Sequence, residues 1–247
     1  MNNRFGGEPP RPPAPLLPFE ETACLLPVVP DKVNSHTYSS SYELHLGRVR
    51  ADALARGGSA RVRLFEIGLG CDMTYGEGAG FPLWRAYFGD IVELTVLEFQ
   101  QKCALKWGSL KENEDVKVFV GDQGDRDLLR RIIKERGPFD IVIDDGAHSM
   151  QGQTAAIEVF FPDGLRPGGV LAIEDLFTSH WTDGPPRTVG LFAEIAEILL
   201  ARGPQFDGRV RTDIAIRRGA RGSVSAIVAQ LANMQCSAEL CILVRSA

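Results

Sequence analysis

From residue 61 onward, short runs of consecutive apolar residues alternate with longer stretches whose apolar positions recur every three or four residues. The first kind reads as parallel strands buried on both faces, the second as amphipathic helices. The pattern predicts strands at Val62–Ile67, Ile91–Leu97, Val116–Val120, Phe139–Ile143 and Gly169–Ile173. It predicts helices over Phe81–Phe88, Gln100–Leu110, Arg126–Glu135, Gln151–Phe160 and Leu191–Leu200. In the third of these, Leu128, Leu129, Ile132 and Ile133 fall on one face. Two final strands are expected at Ser225–Ala229 and Glu239–Val244, with a hairpin near Asn233 to Ser237 and an ambiguous segment around Ile214. Strands alternating with helices imply an α/β class: a Rossmann-like, seven-stranded, mostly parallel sheet with helices on both faces and the last strand antiparallel.

The first 58 residues break this rhythm. Residues 1–18 carry six prolines and read as a mobile, proline-rich arm. Residues 19–58 mix turn signals with Tyr42-Glu43-Leu44-His45-Leu46 and read as a helical lead-in placed to cover a site. Residues 59–247 then form the main domain.

Composition is that of an ordinary globular protein: 44% hydrophobic, 24% charged, net charge −5. The acidic balance argues against a general nucleic-acid binder, whose affinity rests on a basic surface. Local basic stretches, Arg209-Val210-Arg211 and Arg217-Arg218-Gly219-Ala220-Arg221, read as solvated loops. No apolar run reaches the ~18–20 residues that span a membrane. Five cysteines without a C-x-x-C spacing indicate neither a disulfide framework nor a zinc site, and a reducing, cytoplasmic setting is expected.

The chemistry gathers where strands end. In an open α/β sheet the carboxyl ends of the strands share one edge, and ligands bind there. Glu66-Ile67-Gly68-Leu69-Gly70 follows the first strand. A dinucleotide fingerprint needs a third glycine where Met73 stands, so a nicotinamide-dependent oxidoreductase is the weaker reading. The alternative is the methyltransferase version, in which an acidic residue opens a looser glycine turn. Glu98 ends the second strand, where a carboxylate can accept hydrogen bonds from ribose hydroxyls. Asp122 and Gln123 close the third, where an adenine amino group can be read. Glu66, Gly68, Gly70, Gly80, Glu98, Asp122, Gln123 and Asp144 are the expected cofactor-binding residues.

The fourth strand ends in Asp144-Asp145-Gly146-Ala147-His148 and the fifth in Glu174-Asp175. Side chains alternate along an extended chain, so Asp144 is assigned toward the cofactor and Asp145 toward a metal. An oxygen-only set of Asp145, Glu174 and Asp175 favours a hard ion such as Mg²⁺. His148, with an ordinary pKa of ~6.5, is the expected general base. His36 and His45 are assigned no role; His180 and Trp181 follow the acids of the fifth strand and could line a substrate mouth, with loop residues the stronger reading.

On these residues the chain resembles the metal-dependent class I O-methyltransferases of macrolide deoxysugars, the mycinamicin and tylosin type, and related fungal proteins of unassigned role. The likeness rests on Phe65–Gly70, Gly121-Asp122-Gln123, Phe139–His148, Leu165–Gly169 and Ile173–Leu176, within about residues 30–182. The stretch from Asp31-Lys32 through His36 to Tyr42-Glu43 also looks like the family's approach to its catalytic domain. The resemblance implies S-adenosylmethionine (SAM) as methyl donor, Mg²⁺ held by Asp145, Glu174 and Asp175, and His148 as base. Gly80 stands where actinobacterial members carry serine, so a cofactor contact there is either lost or left to the backbone. The family's long N-terminal auxiliary domain has no counterpart in these residues, so the expected partner is a small-molecule hydroxyl substrate rather than a macrolide in particular. A homo-oligomer is compatible with this reading. A non-catalytic interaction protein recruited through the proline arm is the remaining alternative.

Overall fold

A computed structural model of the protein describes residues 16–57, 60–180, 187–200 and 222–247. The expectations for most of the proline arm, the basic stretches, the Ile214 segment, the side chain of His180, and Trp181 lie outside these residues.

Three helices lead in: α1 (Phe19–Cys24), α2 (Asp31–Asn34) and α3 (Ser39–Arg56). Then follow β1 (Val62–Ile67), α4 (Phe81–Phe88), β2 (Val92–Glu98), α5 (Gln101–Gly108), β3 (Lys117–Val120), α6 (Arg126–Arg136) and β4 (Phe139–Asp144). The chain continues through α7 (Met150–Val159), β5 (Leu165–Ile173), α8 (Arg187–Leu200), α9 (Gly222–Gln230), β6 (Leu231–Ser237) and β7 (Leu240–Arg245). The helices start where local chemistry allows it. Asp125 caps α6 by accepting from the Asp127 and Leu128 amides, and Ser149 caps α7 by accepting from the Gly152 amide.

The seven strands form one sheet in the order β3-β2-β1-β4-β5-β7-β6. The first five are parallel, and β7 runs antiparallel between β5 and β6. Strand order reverses between β1 and β4, which places a ligand crevice at that edge. Register decides what gathers there: Leu97, Ile67, Asp144 and Ile173 lie in one row across β2, β1, β4 and β5. The residues that follow each of them therefore leave the sheet side by side: Glu98, Gly68, Asp145 and Glu174.

Each face of the sheet carries its own core. Phe65, Phe139 and Phe160 pack on one side with residues of α6 to α9. Phe19, Tyr42, Trp84 and Tyr87 pack on the other, joining the lead-in helices to α4. Arg50 of α3 lies 3.7 Å above the Tyr87 ring and donates to the Tyr87 carbonyl at 3.0 Å. The lead-in is thus built into the core rather than laid over it.

Two expectations are corrected. Ser225–Ala229 is part of helix α9, and the expected hairpin region is strand β6, whose turn lies at Ala238-Glu239. A short β-branched run does not distinguish strand from helix. Here Val224, Ile227 and Val228 are buried at helical spacing, and packing settles the choice. Four cysteines are also paired: Cys71 with Cys103, and Cys236 with Cys241, leaving Cys24 free and exposed. Parity and spacing could not show this, because Cys71 and Cys103 meet only when β1 and β2 lie together, and Cys236 faces Cys241 across the hairpin. The argument for a reducing setting loses its ground. No helix among the described residues is long and apolar enough to cross a membrane.

Candidate active site

The crevice is a cavity of about 580 Å³ at the carboxyl edge of the sheet. Its entrance depends on Gly68, which leaves β1 with φ +98° and donates its amide to Leu97 O at 2.9 Å. A Cβ there would fall 2.1 Å from the Asp145 carbonyl oxygen, so only glycine lets the β1 and β4 turns come together. Gly70, also at positive φ, carries the loop onward along the cavity wall.

Glu98 is buried and lines the cavity. Its Oε2 accepts from the Leu69 amide at 2.9 Å and its Oε1 from the Gln100 amide at 2.7 Å. The glycine loop is further tied to α5 by the Cys71–Cys103 disulfide and by Gln100 Nε2 donating to Asp72 Oδ2 at 2.7 Å. Asp122 is exposed on the wall, where its Oδ1 accepts from the Gly124 amide. Gln123, buried beside it, accepts from the Ala147 amide at 2.8 Å and donates to Asp144 Oδ1 at 3.0 Å. An exposed Phe99 ring adds an apolar surface to this end.

Three expected cofactor residues stand behind the wall. Asp144 is wholly buried and holds Gln123 from behind. Burial pushes its carboxyl up to about 6, against the lowering effect of the Gln123 hydrogen bond. Glu66 lies beneath the glycine loop, accepting from Trp84 Nε1 at 2.8 Å, and burial pushes it up to about 7. Gly80 sits against it, where a Cβ would meet Glu66 Oε1 at 3.2 Å. Glu66 and Gly80 line a small pocket of about 20 Å³ instead of the main cavity.

The opposite end of the cavity carries Asp145, His148 and Asp175. The last two have φ of +49° and +54°, a conformation L-residues adopt at a cost and one that recurs at functional sites. His148 Nε2 lies 3.1 Å from Asp175 Oδ2, and Tyr38 donates its hydroxyl to Asp175 Oδ1 at 2.8 Å. The His148 Nδ1 atom is buried and has no hydrogen-bond partner among the described residues. Each of Asp145, His148 and Asp175 offers a ligand atom within 4.8 Å of the others. The carboxylates of Asp145 and Asp175 at this spacing fit a divalent cation, with the His148 imidazole beside them.

Glu174 is not part of that converging set. It is 2% exposed and faces the other way. Its Oε1 accepts from the Tyr42 hydroxyl in a very short contact, and its Oε2 accepts from Lys32 Nζ at 2.7 Å. The same ammonium donates to Asp145 Oδ2 at 2.6 Å and stands 3.9 Å from Glu66 Oε1. Burial by itself would lower the Lys32 pKa, but Asp145 and Glu174 outweigh it and hold the ammonium well above the ordinary lysine range. Burial and the neighbouring Asp145 charge together push Glu174 well up, in spite of Lys32. One buried cation thus faces three carboxylates.

Sequence reasoning assigned no role to Lys32, Tyr38, Tyr42, His36 or Glu239. His36 stacks on Tyr38 at 4.8 Å and its Nδ1 lies 2.8 Å from Glu239 Oε2, at the turn of the β6–β7 hairpin. The crowding of Lys, His and Tyr into residues 32–42 was the available signal.

No family model matches the chain. It is 35% identical over 147 residues to L-olivosyl-oleandolide 3-O-methyltransferase of Streptomyces antibioticus, covering 59% of this chain and 34% of the relative. It is 32% identical over 149 residues to mycinamicin VI 2''-O-methyltransferase of Micromonospora griseorubida, covering 59% and 33%. The chain therefore spans about a third of the length of these relatives. Among solved structures, the MycE methyltransferase of the mycinamycin biosynthetic pathway, in complex with Mg, SAH and mycinamycin VI, superposes with TM-score 0.66. That superposition covers 93% of this chain and 55% of the other at 20% identity. It shows a shared Rossmann-like methyltransferase fold.

Proposed function

We propose that the protein is a SAM-dependent, Mg²⁺-assisted O-methyltransferase acting on a hydroxyl of a small molecule, with a sugar-bearing natural product as the leading acceptor class. The observation that carries this reading is the single cavity with two unlike ends. Glu98, Asp122 and Gln123 line one end; Asp145, His148 and Asp175 converge at the other. The relatives' names support the acceptor class, since they methylate sugar hydroxyls of polyketides by those names.

In this reading Glu98 accepts from the ribose hydroxyls and Gln123 with Asp122 meets the adenine edge. Asp145 and Asp175 would hold the divalent ion, which supplies positive charge that favours ionisation of a neighbouring hydroxyl. The acceptor oxygen attacks the sulfonium methyl carbon in line. The new C–O bond forms as the C–S bond breaks, and S-adenosylhomocysteine (SAH) leaves with the bonding pair. His148 takes the hydroxyl proton. Asp175, 3.1 Å from its Nε2, steadies the imidazolium that results. The cavity's chief contribution is to hold the two reactants aligned and away from water.

The test is to incubate the protein with SAM and Mg²⁺ and a panel of deoxysugar-bearing polyketides, simple sugars, polyols and phenols, and to measure SAH release and methylated product. Product on a sugar hydroxyl is the expected result. Tighter binding of NAD(P)H than of SAH, with no methyl transfer, would replace this reading with an oxidoreductase.

A further inference from the structure

The buried Lys32 ammonium has no place in the mechanism above, yet it lies between Glu174 and Asp145, the second of which that reading gives to the metal. Its distances of 2.6 Å to Asp145 Oδ2 and 2.7 Å to Glu174 Oε2 leave no room for a second cation between them. Like charges at such separation repel strongly where water is excluded. We propose that Lys32 is the resident cation of this site: it pairs with Asp145 and Glu174 in the metal-free protein and competes with the divalent ion for Asp145. The proposal rests on the metal site of the reading above and assigns Lys32 as a residue that sets how tightly that site takes its ion.

The placement of Lys32 extends the consequence to the lead-in segment. It lies on α2, a single turn of four residues. The neighbouring side chains of that segment reach the same acids: Tyr38 bonds Asp175 at 2.8 Å, Tyr42 bonds Glu174, and His36 lies 3.8 Å from Asp175. An ion that draws Asp145 away from Lys32 therefore loosens the segment carrying it. Divalent-ion binding and the order of residues 31–38 become one equilibrium, and that segment contributes Asp31 and His36 to the cavity wall.

The test titrates Mn²⁺ into the full-length wild type and Lys32→Met by calorimetry, with SAH binding measured on the same samples. Removing the competitor should tighten Mn²⁺ binding on the order of tenfold. Equal or weaker binding by Lys32→Met overturns the proposal, as does an absence of Mn²⁺ binding in both proteins while both bind SAH. Should Lys32→Met fail to fold, amide hydrogen exchange of the wild type decides: faster exchange over residues 31–38 in saturating Mn²⁺ supports the proposal, and unchanged exchange overturns it. Failure of the folded wild type to bind SAH would overturn the methyltransferase reading instead, leaving the Mn²⁺ comparison intact.

Discussion

The two ends of the cavity neutralise their acids by different means. At the Glu98 end, carboxylates are met by neutral donors: backbone amides of Leu69 and Gln100 for Glu98, and the Gln123 amide for Asp144. At the Asp145 end they are met by a cation, two phenols and two imidazoles, drawn from residues 32–42 and from His148. Neutral donors set a fixed geometry that changes little when a ligand arrives. A surplus of negative charge around one ammonium is a site that can exchange its cation. Under the proposed function the first end serves recognition and the second serves chemistry that alters charge.

Chelation separates the ends most sharply. With EDTA, methyl transfer is expected to vanish and return on adding Mg²⁺, while SAH affinity stays within about twofold; full turnover in chelator would remove the ion from the mechanism. Next in size is His148→Ala, expected to lower kcat by about a hundredfold or more with SAH binding unchanged. Steady-state kinetics beside an SAH titration checks this, and undiminished kcat would leave the base elsewhere. Glu98→Ala acts at the other end. It removes the proposed ribose contact and leaves the Leu69 and Gln100 amides unpaired, so SAH should bind roughly tenfold more weakly while Mn²⁺ affinity holds; equal SAH affinity would show that Glu98 only shapes the loop.

The smallest expected effect is on stability. Glu66 ionises near 7 in the folded protein against 4.5 ordinarily, because burial disfavours its charged form. The folded state therefore retains a proton that the unfolded chain releases, and stability present below about 4.5 is lost as pH rises toward 7. Asp144, near 6 against 3.8, acts in the same direction over a lower window. The metal-free protein should melt a few degrees lower at pH 8 than at pH 5, and Glu66→Gln should flatten that slope. A parallel slope in the variant would assign the pH dependence to other groups.

The strands β1 to β5, the helices between them and the carboxyl-edge positions of Glu98, Gln123, Asp145 and His148 could be read from local pattern. Each depends on a short apolar run and the residues that directly follow it, and parallel strands end at a common edge. The direction of each acid beyond that edge was not legible. Asp144 and Glu66 sit at the expected strand ends but face inward, because Gln123 and Trp84 offer them partners there. Glu174 faces Lys32 and Tyr42 for the same reason. Helix α9 was misread because the apolar run Ser225–Ala229 is too short to carry a period.

Periodicity and strand-end chemistry thus specified a parallel α/β sheet with a cofactor-sized crevice and an acid-rich edge, since those features arise from residues adjacent in the chain. The cation at the centre of that edge, and the two disulfides, came from folding alone. Lys32 is 113 residues from Asp145 and 142 from Glu174, and His36 is 203 from Glu239. Contacts at such separations are set by how a core closes around the lead-in helices, and no local spacing encodes them.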